Sequence, residues 1–281
     1  MNKFILLFTL LAFSVSSFAQ KSEVPKYGFY GGLGGNYSFV NFSQVDANTL
    51  GLSEIYINGN KVQTGSAKGP FSITPDSESK LGPTLQVGYF QKFNNSSWLW
   101  GSKLSYSYVG TTSTSPVLEI PQFGSNSSGD TFEGVAVVQS FQYSLNHQFS
   151  FTPYFGISSG KTFFYLGAGI SMSETKEEVN DVVGYAFIQN DTVNISGEPT
   201  DFSSTNWVWG FAATAGGTYF LSQSLFLDLS YTFNSTQTQV NDFKAPFSNS
   251  KGPFSTSGEL IGRTSANEVT NSITLTVNKI F

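Results

Sequence analysis

Hydrophobic and polar residues alternate along the last part of the chain. Ile273, Leu275 and Val277 occupy every second position, and Thr274 and Thr276 stand between them. Side chains on a β-strand point to opposite faces in turn, so this pattern predicts a strand with one apolar and one polar face. The alternation recurs upstream, and together these segments predict eight strands near residues 27–42, 81–93, 98–108, 135–157, 161–175, 206–221, 225–234 and 269–281.

The predicted strands are long, and their connections alternate in length. Most strands run roughly 13 to 16 residues, whereas the average strand has about 5 to 6. Turn-like joins fall near residues 94–97, 158–161 and 221–224, and long Ser- and Asn-rich joins fall near 43–79, 112–131, 176–205 and 240–267. This arrangement predicts an all-β fold, an eight-stranded antiparallel up-and-down transmembrane β-barrel with four long extracellular loops and short periplasmic turns. Segment 135–157 is longer than the pattern requires and could be split into two strands.

The N-terminus is predicted to be a targeting segment. Lys3 precedes the apolar run 4–13, and small residues lead to Ala19. This order is typical of a secretory signal peptide, so residues 1–19 are expected to be cleaved. Residues 20–281 would then form the barrel domain of an exported protein located in the outer membrane. An uncleaved anchor helix is the alternative interpretation of the same segment.

Composition excludes several classes of chemistry. The formal net charge is −5, only 12% of residues are charged, and the chain has no cysteine and one histidine. A disulfide scaffold, a cysteine zinc site and a thiol nucleophile are therefore excluded. Nucleic acid is not an expected partner, because its recognition needs clustered Lys and Arg. No cofactor or metal site is predicted.

The residue pattern does not indicate an enzyme. His147, the single histidine, falls on the same predicted face as Leu145 and Phe149, away from the polar residues beside it. A Ser–His–Asp set on one face is therefore not expected. An acidic run is interpreted as a solvated loop, with a divalent-cation site as the alternative, and it consists of Glu174, Glu177, Glu178 and Asp181.

Two pairs of tryptophans mark the expected membrane boundaries. Trp98 and Trp100 follow a short join, and Trp207 and Trp209 follow a long one. Tryptophan is enriched at membrane–water interfaces, so the two pairs are predicted to lie near opposite interfaces. The alternative is that these side chains belong to the core of a soluble fold.

The polar face of the strands is predicted to line the barrel interior. The lumen candidates include Lys103, Asp228, Gln142 and Asn146. Lys103 and Asp228 are the expected internal ion pair, because an unpaired charge in a narrow lumen is costly. Exposure of both residues to water near a rim is the alternative.

The chain resembles the OmpA/OmpX-type small outer-membrane barrels of the Gram-negative envelope. The resemblance rests on the signal peptide, the eight alternating strands, the four long loops and the final segment 271–281, which ends in Phe281. It implies that Val277 and Phe281 belong to a C-terminal signal read by the outer-membrane assembly machinery. It also implies contact with outer-membrane lipid and lipopolysaccharide.

The sequence predicts a non-enzymatic integral outer-membrane protein. Its expected role is envelope structure or surface contact through the extracellular loops. A narrow, porin-like channel or small-molecule conduit is one alternative, and a subunit that contacts a protein partner in a larger envelope complex is another. A soluble secreted β-sandwich or adhesin would require the apolar faces to meet in a core.

Overall fold

The computed structural model describes residues 24–94, 96–188 and 191–281, so the predicted signal peptide 1–19 lies outside the described residues. The described residues form fourteen strands in one sheet, and the sheet ladders are antiparallel. The strands are β1 (Tyr27–Phe42), β2 (Val45–Ile57), β3 (Asn60–Ile73), β4 (Glu78–Lys92), β5 (Trp98–Ser115), β6 (Leu118–Asn126), β7 (Thr131–Ser159), β8 (Thr162–Ile188), β9 (Asp191–Asn194), β10 (Thr200–Phe220), β11 (Leu225–Thr236), β12 (Gln239–Lys251), β13 (Phe254–Ala266) and β14 (Glu268–Ile280). Among these residues there is no helix long and apolar enough to cross a membrane.

Eight of the strands pair in a closed cycle, which we call the lower ring. Around the cycle the order is β1, β4, β5, β7, β8, β10, β11, β14 and again β1. The joins at 93–97, 160–161 and 221–224 are short and connect neighbouring strands of this ring. The all-β antiparallel prediction is confirmed, but the described residues hold fourteen strands rather than eight, and only eight of them belong to the ring. Segment 135–157 is part of the single strand β7.

The other strands extend the sheet beyond the ring, where the sequence predicted loops. Short breaks at 43–44, 116–117, 237–238 and 267 separate lower strands from their upper continuations. We call this part the upper section; it contains β2, β3, β6, β9, β12 and β13 with the distal ends of β5, β7, β8 and β10. The predicted loops 43–79, 112–131, 176–205 and 240–267 are thus largely strand.

The outward face of the lower ring is a band of exposed apolar side chains, which we call the belt. It lies between the level of Trp98 and Trp100 and the level of Trp207 and Trp209. Its members include Leu33, Leu85, Val87, Leu104, Phe151, Ile170, Leu229 and Leu275, all exposed. The inward face of the same strands is polar and buried, and it includes Thr84, Gln86, Lys103, Thr152, Asp228, Ser230, Thr276 and Asn278.

This polarity reverses in the upper section. Its inward face is apolar and forms one buried cluster, which includes Val45, Ile73, Ile120, Val138, Phe141, Leu145, Val179 and Val182. Strand β7 changes from one pattern to the other through a register shift between Leu145 and Gln148, opposite a shift between Tyr108 and Thr111 on β5. A bulge adds a residue to one strand and so reverses which positions face inward. The inward face of the upper section is therefore apolar, although Leu50, Leu52 and Phe123 are also exposed on its outward face.

Candidate functional site

The interior of the lower ring is closed by aromatic side chains at the end with the short joins. Tyr30, Phe90, Leu99, Phe163, Phe220 and Phe226 form a buried cluster there. The rings of Phe220 and Phe226 lie 5.0 Å apart, and those of Phe90 and Phe163 lie 5.5 Å apart. This cluster seals one end of the interior.

An ion pair lies next to the aromatic cluster. Lys103 Nζ is 3.5 Å from Asp228 Oδ2, and the two side chains are only 4% and 3% exposed. Tyr165 links the two groups, because its hydroxyl accepts a hydrogen bond from Lys103 at 2.8 Å and donates one to Asp228 Oδ1 at 2.9 Å. Gln86 Nε2 donates to the same carboxylate at 3.1 Å. The structure thus brings these two sequence-predicted residues together inside the ring rather than at a rim.

Uncharged polar side chains fill the interior above the ion pair. Asn234 Nδ2 donates to Gln148 Oε1 at 2.9 Å, and Gln148 Nε2 donates to Ser173 Oγ at 3.0 Å. A void of about 20 Å³ remains among them. One water needs about 10 to 15 Å³, so the void has room for a single water and not for a continuous pore.

Two buried carboxyl groups lie above this polar layer, and sequence reasoning missed both. Glu177 Oε2 accepts hydrogen bonds from Asn241 at 2.7 Å and Thr264 at 2.9 Å. Glu268 Oε2 accepts one from the Tyr143 hydroxyl at 3.1 Å, while its Oε1 has no hydrogen-bond partner among the described residues. Glu177 is part of the acidic run that was interpreted as a solvated loop. That interpretation is wrong for Glu177, which faces inward from β8 and is 5% exposed.

The two carboxyl groups lie beyond the belt. Glu177 is three positions past Glu174, the partner of Trp207, and Glu268 pairs with Phe42, three positions past the exposed Phe39. Burial raises the pKa of Glu268 from its ordinary value of 4.5 to about 7, and burial also raises the pKa of Glu177. Both groups therefore favour the protonated state in the folded protein more than they would in water.

Replacing Glu268 by glutamine is expected to change how stability depends on pH. The folded-state pKa lies above the unfolded one, so the folded protein binds more protons between about pH 4.5 and 7. The contribution of Glu268 to the free energy of unfolding therefore falls as pH rises through this window. Glu268→Gln removes that loss, and we expect it to raise the free energy of unfolding at pH 8 by about 1 to 3 kcal/mol relative to the wild type.

Urea unfolding at pH 5 and pH 8 measures this effect. Glu119→Gln, an exposed substitution on β6, is the matched control and should leave the pH dependence unchanged. Equal stability of Glu268→Gln and the wild type at pH 8 would contradict the expected ionisation of Glu268.

The two remaining lumen candidates are not placed as predicted. Gln142 lies between Phe141 and Tyr143, which both point into the upper apolar cluster, so alternation turns Gln142 to the outward face. Asn146 falls within the register shift between Leu145 and Gln148. The prediction assumed that inward and outward positions alternate without interruption along β7, whereas the bulge shifts this alternation by one residue.

His147 lies in the same register shift, within a group of aromatic side chains. Its Nδ1 is 2.8 Å from the Tyr106 hydroxyl, and its ring also lies beside Tyr108, with 5.4 Å between the ring centroids. These contacts give His147 a packing role near the upper edge of the belt.

The four tryptophans and the C-terminal residues lie on the outward surface. Trp98 and Trp100 begin β5 next to a short join, whereas Trp207 and Trp209 lie toward the other end of β10. All four are exposed. Val277 belongs to the belt and pairs with Leu33, and the Phe281 N–H donates to the Phe29 carbonyl at 3.0 Å while its side chain is exposed.

These features define an antiparallel β-protein with an apolar belt around a sealed polar interior and a second, apolar interior above it. No family model matches the chain. The chain is 26% identical over 280 residues to outer membrane protein P1 of Coxiella burnetii, covering 97% of this chain and 94% of that protein.

Solved structures give weak superpositions. The outer membrane protein OprG of Pseudomonas aeruginosa is 12% identical, covers 89% of this chain and 97% of its own, and has a TM-score of 0.31. The outer membrane protease OmpT of Escherichia coli is 7% identical, covers 94% of this chain and 100% of its own, and has a TM-score of 0.30. Superpositions at this level do not define a shared arrangement of strands.

Proposed function

We propose that the protein is an integral outer-membrane β-barrel whose lower ring is the eight-stranded up-and-down barrel that spans the membrane. The belt carries this proposal, because exposed Leu, Val and Phe side chains around a buried polar interior are stable only against hydrocarbon. In a closed cycle both edges of every strand are paired. This satisfies the backbone N–H and C=O groups, which find no water to bond in hydrocarbon. The similarity to a relative named outer membrane protein P1 supports the same location.

The sealed interior favours a structural or surface-contact role over a channel. Aromatic side chains close one end of the ring, and the upper apolar cluster closes the other. We therefore propose a non-enzymatic protein that presents the upper section as a rigid extracellular surface. A partner in a larger envelope complex would meet the outward face of this section.

Assembly in the outer membrane is part of the proposal. Residues 1–19 would direct export and be removed. The assembly machinery would read the C-terminal strand, which carries Val277 in the belt and Phe281 at its end. Lipid and lipopolysaccharide would contact the belt and its upper edge.

Gel mobility and fractionation test the proposed function. Expressed with its N-terminal segment in a Gram-negative host, the protein is expected in the outer-membrane fraction. Its band is expected to shift between unboiled and boiled samples, because a closed barrel resists detergent until it is heated. Recovery in the periplasm or medium without detergent, or identical mobility in both lanes, would contradict the proposal and favour the soluble alternative.

A further inference from the structure

The upper section contains an apolar cavity that the proposed structural role does not use. Its volume is about 70 Å³, and its main lining residues are Ala136, Val182, Ile195, Ala245, Phe247 and Leu260. A separate void of about 10 Å³ lies beside it and shares the lining residues Ala136, Val182 and Leu260.

The cavity lies beside a seam between two strands. From Thr200 to Trp209, strand β10 is paired only with β8, and its other edge faces β12. Strand β12 is in turn paired only with β13. No ladder joins β10 to β12 within the described ranges. Side chains cross the seam instead; for example, Asn206 Nδ2 donates to Asn241 Oδ1 at 2.8 Å. An isolated bridge also links Gly197, just before β10, to Ser248 on β12. Thr200 on β10 and Ala245 on β12 line the cavity at this seam. A ligand can enter here without breaking a sheet ladder.

The lining accepts apolar groups and not charged ones. None of its residues has a charged side chain. Two of its polar side chains are already bonded within the protein: Ser196 Oγ accepts from the Gly184 N–H at 2.8 Å, and Gln122 Nε2 donates to Thr49 Oγ1 at 2.9 Å. A charged or strongly polar ligand would lose its hydration without compensation.

The volume limits the shape of the ligand. An apolar cavity of about 150 Å³ holds benzene, and this cavity is about half that size. A narrow, unbranched group fits such a space better than a ring. The smaller void toward Val179 and Ile120 adds only about 10 Å³.

We propose that the upper section binds the end of an unbranched alkyl chain in this cavity, with the rest of the chain leaving through the β10–β12 seam. The chain end of a free fatty acid and that of a lipid share this chemistry. This proposal depends only on the apolar interior of the upper section. It does not require that the lower ring spans a membrane.

Two glycines of the lining can each accept a Cβ without a clash. A Cβ at Gly184 would meet its nearest atoms at 3.7 Å, and one at Gly51 would meet its nearest atom at 3.9 Å, both ordinary contact distances. Both residues line the cavity. Gly184→Leu and Gly51→Val would therefore occupy the ligand space. Gly35→Leu is the matched control, because Gly35 lies between the exposed Leu33 and Tyr37 and its Cβ would meet its nearest atom at 3.7 Å.

Methyl NMR of labelled protein, titrated with 1-bromobutane as the probe, tests the site. Saturable shifts of the Val182, Ile195 and Leu260 methyl signals are expected in the wild type and in Gly35→Leu, with binding at least tenfold weaker in Gly184→Leu and Gly51→Val. Belt methyl groups, such as those of Leu229, should respond equally in all four proteins. A bromine anomalous peak between Ala136 and Leu260 is expected in soaked wild-type crystals.

Three outcomes would overturn the site. One is the absence of saturable shifts at the cavity methyl groups, and another is an unchanged response in both filling variants. The third is a bromine peak on the belt only. If a filling variant fails to fold, as judged by its unboiled gel mobility, the other variant decides. With saturable binding at the cavity, titrations with a fatty acid and with lipid vesicles then distinguish the two sources of the chain.

Discussion

Asp228→Asn is expected to lower the free energy of unfolding by about 3 to 5 kcal/mol, because it leaves the ammonium group of Lys103 buried without its counter-charge. Lys103 would keep hydrogen bonds to Tyr165 and Ser230, at 2.8 and 3.4 Å, but neither neutralises the charge. Urea unfolding followed by unboiled gel mobility or tryptophan fluorescence measures the change.

A double variant separates the ion pair from its surroundings. Lys103→Met combined with Asp228→Asn removes both charges, and we expect it to recover most of the lost stability, since neutral replacements of a buried pair are often tolerated. A loss below about 0.5 kcal/mol in Asp228→Asn would contradict the buried pair and support exposure of both groups at a rim.

The ion pair was predictable because the period of two holds without interruption in this part of the ring. Lys103 lies in register with the polar residues Ser105 and Ser107, and Asp228 lies in register with Ser230. Counting every second residue along the strand from any of these serines assigns Lys103 or Asp228 to the inward face. Because an isolated charge in a narrow interior is costly, the two opposite charges were then expected to pair.

Gln142 and Asn146 were misplaced because the count passed through a bulge. Nothing in the residues around His147 marks the register shift, since it depends on how β5 and β8 pair with β7. The shift coincides with the height at which the polarity of the two faces reverses. In β7 the bulge turns the odd-numbered positions from the outward face, at Phe149 and Phe151, to the inward face, at Tyr143 and Leu145.

The strands of the upper section were missed because their two faces differ little in hydrophobicity. On β2 the inward positions include Ala47, Thr49 and Gly51, and the outward positions include Leu50 and Leu52. Small inward residues and apolar outward ones hide the period of two. The Ser- and Asn-rich segments were therefore interpreted as loops, although they pair as strands.

Leu85→Arg is expected to lower the free energy of unfolding by about 2 to 4 kcal/mol, the cost of placing arginine near the middle of a bilayer on the lipid-facing side of a barrel. Leu85 is 55% exposed and lies in the belt, opposite Leu33 on β1 and Tyr106 on β5. In a water-soluble protein the same substitution at an exposed position would change stability by about 0.5 kcal/mol or less. Unfolding by urea in lipid vesicles measures the difference.

Leu50→Arg provides the comparison within the same chain. Leu50 is also exposed and also sits on an outward strand face, but it belongs to the upper section, between Ile261 and Lys68. Its replacement should be nearly neutral, because arginine there remains in water. A large loss at Leu85 with little at Leu50 places the boundary between hydrocarbon and water between these two levels. Equal effects at both positions would mean that the belt faces water, and the apolar exterior would then need another explanation.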